Sequence, residues 1–256
     1  MNLFSAEVNI LWPALIAGLL VVVSHVPLGQ QVLARGIVFI DLAIAQVAGL
    51  GVIAANSFGL PIEGWSAQAA AGAAALAGAL LLTWMERKRP EAQEALIGIL
   101  FVLASTAQIL VLANDPHGGE NLKDLLAGQI LWVSTAQLVR TAVLTAIFAV
   151  VWFLGRERIG RVGFYVLFAV VVTASVQLVG VYLVFTSLIV PAVATYRHAA
   201  KRQLLIGYAV AAASYIVGLA ASVVTDLPSS PVIVWAMALI GLVVHATGNH
   251  RRPVGG

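Results

Sequence analysis

Long runs of apolar residues, separated by short polar segments, form the pattern of this 256-residue chain. The runs are long enough to cross a bilayer as helices, and they lack the strict alternation of the strands in a membrane barrel. Because lipid offers no hydrogen bonds, each run must pair its own backbone groups, which favours helices. The pattern predicts nine membrane segments: Val8–Ser24, Gly36–Ala55, Ser66–Met85, Glu94–Ala113, Ala136–Leu154, Arg161–Gly180, Val181–Tyr196, Gln203–Val224 and Pro231–Thr247.

The sixth and seventh segments form one apolar stretch that is too long for a single crossing at about 1.5 Å per residue. Gly180 and Pro191 are positions at which a helix can break, giving either two short crossings or a re-entrant pair. A break also places all the basic clusters on one side of the membrane, as the positive-inside rule requires. These clusters are Arg35, Arg87–Arg89, Arg156–Arg161, Arg197–Arg202 and Arg251–Arg252.

This charge pattern predicts that the N-terminus lies outside and the C-terminus lies in the cytoplasm. Arg140 is the exception, because it falls near the outer end of the fifth segment, where a long side chain can snorkel.

The composition agrees with a polytopic membrane protein. Apolar residues make up 61% of the chain and charged residues 10%, against about 45–50% and about 25% in soluble domains. The mean hydropathy is +0.99. The net charge of +3 comes from the short loops and does not indicate nucleic-acid binding. With no cysteine, the chain has no disulfide and no thiolate site. We therefore expect one all-α membrane domain over residues 1–256, in contact with lipid.

Known catalytic motifs are absent from the sequence. It has no phosphate-binding loop of the Gly-x-x-x-x-Gly-Lys-Ser/Thr type, so ATP hydrolysis by that route would need a separate subunit. It also has neither His-Glu-x-x-His nor Gly-x-Ser-x-Gly, which argues against a membrane protease or hydrolase. The remaining classes are a transporter, a channel and a membrane-embedded partner subunit, none of them an enzyme in its own right.

Asp41 is the most informative polar residue, because the pattern places it more than a turn inside the second segment. A carboxylate near the bilayer centre costs about 2.5–3.5 kcal/mol, which a wet cavity or a binding partner can offset. A buried pair with a helix end, or contact with Arg35, is the alternative. Gln46 lies about 140° further round the helix, so the two side chains do not point at one ion without a kink.

Three further residues are candidate metal ligands. His25 closes the first predicted segment and either binds a metal or caps its helix. His117 lies in an outer acidic loop where metal could enter, although a turn before a helix explains that loop equally well. Asp226 opens the Asp-Leu-Pro-Ser-Ser turn before the last segment.

Three stretches resemble the permease subunits of zinc/manganese-type metal-ion ABC importers. The first runs from Pro27-Leu-Gly through Phe39-Ile40-Asp41 to Gly51, and the second runs from Gly180-Val-Tyr-Leu-Val through Pro191-Ala-Val-Ala. The third is Asp226-Leu-Pro-Ser-Ser-Pro-Val-Ile-Val. In order and spacing they cover nearly the whole chain, so the chain is identified as a member of this family.

The resemblance implies a homodimeric permease with an all-helical fold like that of type-II ABC importers. Each copy would bind a cytoplasmic ATP-binding subunit and receive a divalent zinc or manganese ion from an extracytoplasmic metal-binding protein. No cofactor would be permanently bound, since the ion is cargo. Asp41 would line the path, and Asp226 would line it or order the outer mouth. The transient metal ligands expected on this basis are Asp41, Gln46, His25, Asp226 and His117.

Two departures from the family pattern stand out. The family commonly has His four residues after the second-helix Asp, whereas this chain has Ala45 there and Gln46 next. Aligning Gln46 with that His puts Leu42 at the position of the acid. A site without the imidazole would favour a harder ion than zinc or a different set of ligands. The family also has a longer acidic inner segment that engages the ATPase, whereas the segment at residues 155–161 here is short and basic. Either Arg197–Arg202 would contact the ATPase instead, or the coupling of transport to ATP hydrolysis is altered.

Two other functions remain open from the sequence. One is a proton-coupled secondary metal transporter in which Asp41 titrates, although the chain has no evident internal repeat of the kind such transporters often show. The other is a membrane assembly subunit that transports nothing, in which the acidic residues within the spans would affect stability only.

Overall fold

The computed structural model describes residues 3–59, 65–113, 115, 118–155 and 159–248, and within them the chain forms ten α-helices and no strand. Short 3-10 turns lie at Pro90–Ala92 and Ile130–Trp132. The helices are α1 (Leu3–Arg35), α2 (Ile40–Ser57), α3 (Trp65–Lys88), α4 (Gln93–Leu112), α5 (Gly118–Ala127), α6 (Thr135–Gly155), α7 (Arg161–Val179), α8 (Val181–Thr195), α9 (Ala200–Thr225) and α10 (Ser229–Thr247).

Eight of these helices are long and apolar enough to cross a membrane, and α8 is a shorter apolar helix of 15 residues. The prediction of an all-α bundle with eight to nine membrane segments is therefore confirmed. The end of the first segment and the start of the second were predicted wrongly. α1 does not end at Ser24 but continues to Arg35, and α2 begins at Ile40 rather than at Gly36.

Pro27 lies inside α1, where proline removes the N–H that would bond to the carbonyl of Val23. The O–H of Tyr208 on α9 donates to that carbonyl at 3.0 Å. The freed acceptor is thus satisfied in a region without water, and the helix continues through the proline. A tertiary contact decides this boundary, which is why the apolar pattern placed the end of the helix too early.

The end of α1 is instead set by a glycine turn. Gly36 has φ +69°, a left-handed conformation that suits glycine. Its N–H donates to the carbonyl of Leu33, and the N–H of Ile37 donates to the carbonyl of Val32, both at 3.2 Å. These two bonds form a Schellman motif, which satisfies the last carbonyls of α1 and turns the chain into α2.

The ends of α1, α3 and α7 meet at what we call the basic end of the bundle. The Arg35 guanidinium lies 4.0 Å from the centre of the Phe164 ring, at the start of α7. Arg161, the first residue of α7, lies 3.4 Å from Glu86, near the end of α3. Since Arg87–Arg89 follow directly, the basic residues of these three elements share one end, as the charge pattern predicted.

α9 runs antiparallel to α1. The ring of Tyr215 packs against Gly18 in the first half of α1, while Gly207 faces Val26 further along. The start of α9, with its basic residues, is therefore at the basic end, and its last turn, before Asp226, is at the opposite end. We call this opposite end the distal end.

A sharp break at Gly180 separates α7 from α8, as predicted, whereas Pro191 lies inside α8 and does not break it. Gly180 has φ +83° and ψ 163°, values that strongly favour glycine. The backbone of Gly128 packs so closely against it that a Cβ on either glycine would overlap the other segment. α8 then returns alongside α10 towards the basic end, where Tyr196 stacks on His245 at 5.9 Å between ring centres.

Burial is uneven among the long helices. In α7, 61% of the membrane-length window is buried inside the chain, whereas the figure is 17% in both α4 and α6. α7 therefore lies in the core together with α1, α2 and α8. The outward faces of α4 and α6 are apolar and suited to lipid or to another protein surface.

Candidate transport site

The sequence pattern placed Asp41 more than a turn inside the second segment. In the structure Asp41 lies at the very start of α2. The glycine turn after α1 takes up the residues that the apolar pattern had assigned to the helix. Asp41 is 1% exposed, and neither carboxylate oxygen has a hydrogen-bond partner in the described part of the chain. Its position in the first helical turn favours negative charge, because the backbone N–H groups there have no helical acceptors.

Leu42 and Gln46, four residues apart, lie on one face of α2. Both line a cavity of about 440 Å³ between α2, α4, α5, α8 and α10, which we call the groove. Asp41 is rotated by about 100° from Leu42 and by about 140° from Gln46. Asp41 is not among the residues that line the groove.

The amide of Gln46 is fixed by Gln108 on α4. The Nε2 atom of Gln108 donates to the side-chain oxygen and to the backbone carbonyl of Gln46, each at 2.7 Å. Gln108 is fully buried, and its own Oε1 has no partner among the described residues. Ser105, three residues earlier on the same face of α4, also has a buried hydroxyl without a partner.

Sequence reasoning missed Gln108 and Ser105. A signal was present, because they are polar residues three apart in an otherwise apolar segment, and such residues in membrane helices commonly face the protein interior. The structure brings them to Gln46, which faces the groove.

The described residues that line the groove are all uncharged. Of its twelve lining residues, four are polar without charge and eight are apolar. Its size falls within the range of small-molecule sites in proteins, about 300–1,000 Å³. The polar lining residues are Gln46, Ser105, Tyr182 and Thr186.

His25 was predicted to close the first helix. It lies instead well inside α1 and is fully buried. Its Nδ1 lies 2.9 Å from the carbonyl of Val21 and 3.1 Å from the hydroxyl of Ser24, both on its own helix. Nε2 is buried and has no partner among the described residues. His25 therefore sits on a different helix from the Gln46–Gln108 pair, and it does not line the groove.

Asp226 is exposed at the distal end, where it ends α9 in a left-handed conformation with φ 54°. The hydroxyl of Ser222 donates to the carbonyl of Leu227 at 2.6 Å and closes the turn into α10. Because Asp41 follows the basic end of α1, the two acids lie at opposite ends of the bundle. Asp226 forms the turn and is not part of a shared site with Asp41.

His117 lies outside the described residues. Among the residues that are described, no three His, Asp or Glu side chains come together in a way that would hold a metal ion. The four predicted ligands that are described therefore do not assemble into one cage within a single copy of the chain. Gln46 faces the groove, Asp41 and His25 are separately buried, and Asp226 is at the far end.

A polar cluster closes the basic end between α1, α3, α4 and α7. Besides the pair of Arg161 and Glu86, Gln93 donates its Nε2 hydrogen to the hydroxyl of Tyr165 at 2.6 Å. Glu94 accepts a hydrogen bond from the backbone N–H of Phe39 at 3.3 Å, which ties α4 to the start of α2. This cluster holds the helices that carry Asp41 and the groove at a fixed spacing.

The described chain thus combines membrane-length helices, buried polar side chains and a groove between the helices. The model of the ABC 3 transport family matches residues 7–160 and 156–248, which together cover nearly all of the chain. The chain belongs to the ABC 3 transport family. The resemblance noted in the sequence is thereby confirmed, and the coarse expectation of a membrane permease is met.

Two solved structures share the fold. PsaBC from Streptococcus pneumoniae in complex with Fab matches with a TM-score of 0.76 and 20% identity, covering 94% of this chain and 95% of that one. The other is described as a metal-chelate type ABC transporter in an inward-facing conformation, with a TM-score of 0.66 and 17% identity, covering 91% and 83% of the two chains. At these identities the likeness is one of fold. An ABC permease fold implies an ATPase partner and a substrate-binding protein.

Proposed function

We propose that this chain is the membrane-spanning permease subunit of an ATP-driven importer for a divalent transition metal of the zinc or manganese class. The match to the ABC 3 transport family along nearly the whole chain carries the proposal. The chain supplies the path, and ATP hydrolysis belongs to a separate subunit. Its role is therefore translocation and not catalysis.

The partners follow from the two ends of the bundle. We propose that the basic end faces the cytoplasm of a bacterial inner membrane, in keeping with the positive-inside rule, and binds the ATPase. The distal end, with Asp226, would face outward and receive cargo from an extracytoplasmic metal-binding protein. A second copy of the chain would complete the path. ATP binding would rock the two copies between outward-open and inward-open states.

Asp41 is the residue proposed to meet the metal when the basic end opens. Its buried carboxylate has no protein partner in the described chain, and such a group is costly unless an ion or a proton compensates it. Gln46 would contact the cargo in the groove. His25, Asp226 and His117 stay as weaker candidates for transient contacts, because a transport site must release its ion.

The test is purification of the full chain from its native membrane in mild detergent, followed by mass spectrometry of the proteins that remain bound. We expect a near-stoichiometric nucleotide-binding ATPase, whose hydrolysis is then stimulated by the zinc or manganese cargo. An unrelated multi-span membrane protein, purified from the same membrane in the same detergent, controls for non-specific retention of ATPases.

A chain that purifies alone, stable and without an ATPase would contradict the proposal. Metal uptake that depends on pH and on Asp41 would then favour the proton-coupled transporter. A complete lack of uptake, with Asp41 affecting stability only, would favour an assembly subunit.

A further inference from the structure

The described side chains that line the groove are uncharged. Leu42 and Gln46 present the α2 side, and the Asp41 carboxylate lies on another face of the helix. The polar lining residue on α4 is Ser105, and α8 adds the polar side chains of Tyr182 and Thr186. All twelve lining residues lack a formal charge and an imidazole.

Such a lining is poorly suited to a bare divalent cation. A charge taken out of water must be offset by groups of opposite charge or by strong ligands, and zinc is typically bound by thiolate, imidazole or carboxylate. Amide and hydroxyl groups supply only partial charges. An ion with six water molecules would also occupy only about 180 Å³, at about 30 Å³ per water, well below the groove volume of about 440 Å³.

The same lining fits an uncharged organic surface. Two thirds of the lining residues are apolar, and they include the aromatic rings of Phe101 and Phe185. The ring of Phe185 also stacks on Phe39 with their planes 1° apart, which gives the rim of the groove a flat apolar wall. Small-molecule sites combine such walls with a few fixed polar groups.

Fixed polar groups are present in this groove. Because Gln108 donates to both oxygens of Gln46, the Gln46 amide is held in one orientation and its Nε2 hydrogens remain available. Close by, Ser105 Oγ and Gln108 Oε1 are buried without partners in the described chain. Unpaired polar atoms of this kind are costly unless a ligand or water satisfies them.

We propose that the groove binds the metal as a neutral chelate, in which small oxygen-donor ligands surround the ion and cancel its charge. Gln46 and Ser105 hydrogen-bond the oxygens of the chelating ligands, and the apolar walls pack against their carbon atoms. Neither residue ligates the metal. This inference rests on the proposed function and specifies the form in which that importer takes its metal.

The probe is the neutral complex of Zn²⁺ with two maltolate anions, and the bare-ion comparison is aqueous Mn²⁺, followed by its electron paramagnetic resonance signal. Each is equilibrated with the full chain in lipid nanodiscs, and retained zinc is measured against empty nanodiscs. We expect the chain to retain the neutral chelate and to leave the Mn²⁺ signal unchanged. Gln46→Leu should lower chelate retention at least tenfold.

Two variants keep the test specific. Gln177→Leu alters a glutamine in a separate cleft lined by Trp65 and Arg140, and it should retain the chelate like the parent chain. Leu42→Asp combined with Gln46→His places an acid and an imidazole on the groove face, and it should gain binding of aqueous Mn²⁺.

The proposal is overturned if the parent chain fails to retain the chelate, or if retention is unaffected by Gln46→Leu. It is equally overturned if the parent chain binds aqueous Mn²⁺ and Gln46→Leu abolishes that binding. The measurement requires no ATPase, so its failure is distinct from the failure of the proposed importer function, which would show as a chain without an ATPase partner.

Discussion

At the scale of single residues, burial and lack of a partner distinguish Asp41 from the other acids of the chain. Asp124, for comparison, is exposed on α5 and accepts a hydrogen bond from Gln129 at 2.8 Å. Water and a neighbouring side chain satisfy Asp124, whereas no side chain in the described part of the chain satisfies Asp41. The difference is physical, and it does not depend on the identity of the cargo.

We predict that Asp41→Asn abolishes metal uptake while the chain still assembles in the membrane. The substitution keeps the volume of the side chain and removes its charge, so packing should be preserved. Metal accumulation in cells, normalised to the amount of membrane-inserted protein, is the measurement. Asp124→Asn serves as the matched control and should take up metal normally. Unchanged accumulation in Asp41→Asn would rule out a transport role for this carboxylate.

A second prediction concerns the hydroxyl of Tyr208. Tyr208→Phe leaves the carbonyl of Val23 without a donor at the proline of α1, and an unsatisfied buried acceptor costs about 1–3 kcal/mol. We expect a lower unfolding free energy of the detergent-solubilised chain, measured by denaturant titration. Tyr182→Phe is the control, because the Tyr182 side chain is about half exposed. Equal stability of the two variants would mean that the Tyr208 bond is not needed to carry α1 through Pro27.

At the scale of helices, two of the turns that join them require glycine, one for its backbone conformation alone and the other also for its lack of a side chain. Gly36 needs only its left-handed conformation, since a Cβ there would meet no other atom within 4 Å. Gly180 needs both its conformation and the absence of a side chain, because Gly128 packs directly against it. One turn is therefore set locally, while the other is set by packing between distant parts of the chain.

This difference predicts unequal costs for the same substitution. Gly36→Ala should lower the unfolding free energy by about 1–2 kcal/mol, the cost of a left-handed alanine. Gly180→Ala should cost about 1–3 kcal/mol more, because it also overpacks the contact with Gly128. Denaturant titration of both variants in the same detergent measures the difference. Similar losses would show that Gly128 moves aside without penalty.

At the scale of the whole molecule, the distribution of basic residues gives the bundle a direction. The Lys and Arg residues at the ends of α1 and α3 and after α8 lie at the basic end. Arg140 lies beside Trp65 at the start of α3, towards the distal end. We therefore expect a fixed orientation in the membrane, with the basic end inside.

Because the chain contains no cysteine, single introduced cysteines report this orientation directly. Leu227→Cys is placed at the distal end and Lys201→Cys at the basic end, both at exposed positions. A membrane-impermeant thiol reagent applied to intact cells should label the first variant and spare the second. Both should react after the membrane is permeabilised, which controls for accessibility. The reverse labelling would invert the proposed topology.

The sequence by itself determined the class of fold, the number of segments and the break at Gly180. These properties follow from apolar run length and from charge placement, both of which act locally and are set by the bilayer. The stretches around Asp41, Pro191 and Asp226 were also sufficient to identify the family from the sequence. The start of α2 was predicted wrongly because a capping turn of a few residues has little effect on hydropathy.

Only the tertiary structure decided where α1 ends and which polar groups meet. The hydroxyl that carries α1 through Pro27 comes from a helix far along the chain, so no local pattern contains it. The same holds for the pairing of Gln46 with Gln108, which depends on how α2 packs on α4. Periodicity gave the angle between Asp41 and Gln46, but the packing of neighbouring helices determined that Gln46 and not Asp41 faces the groove.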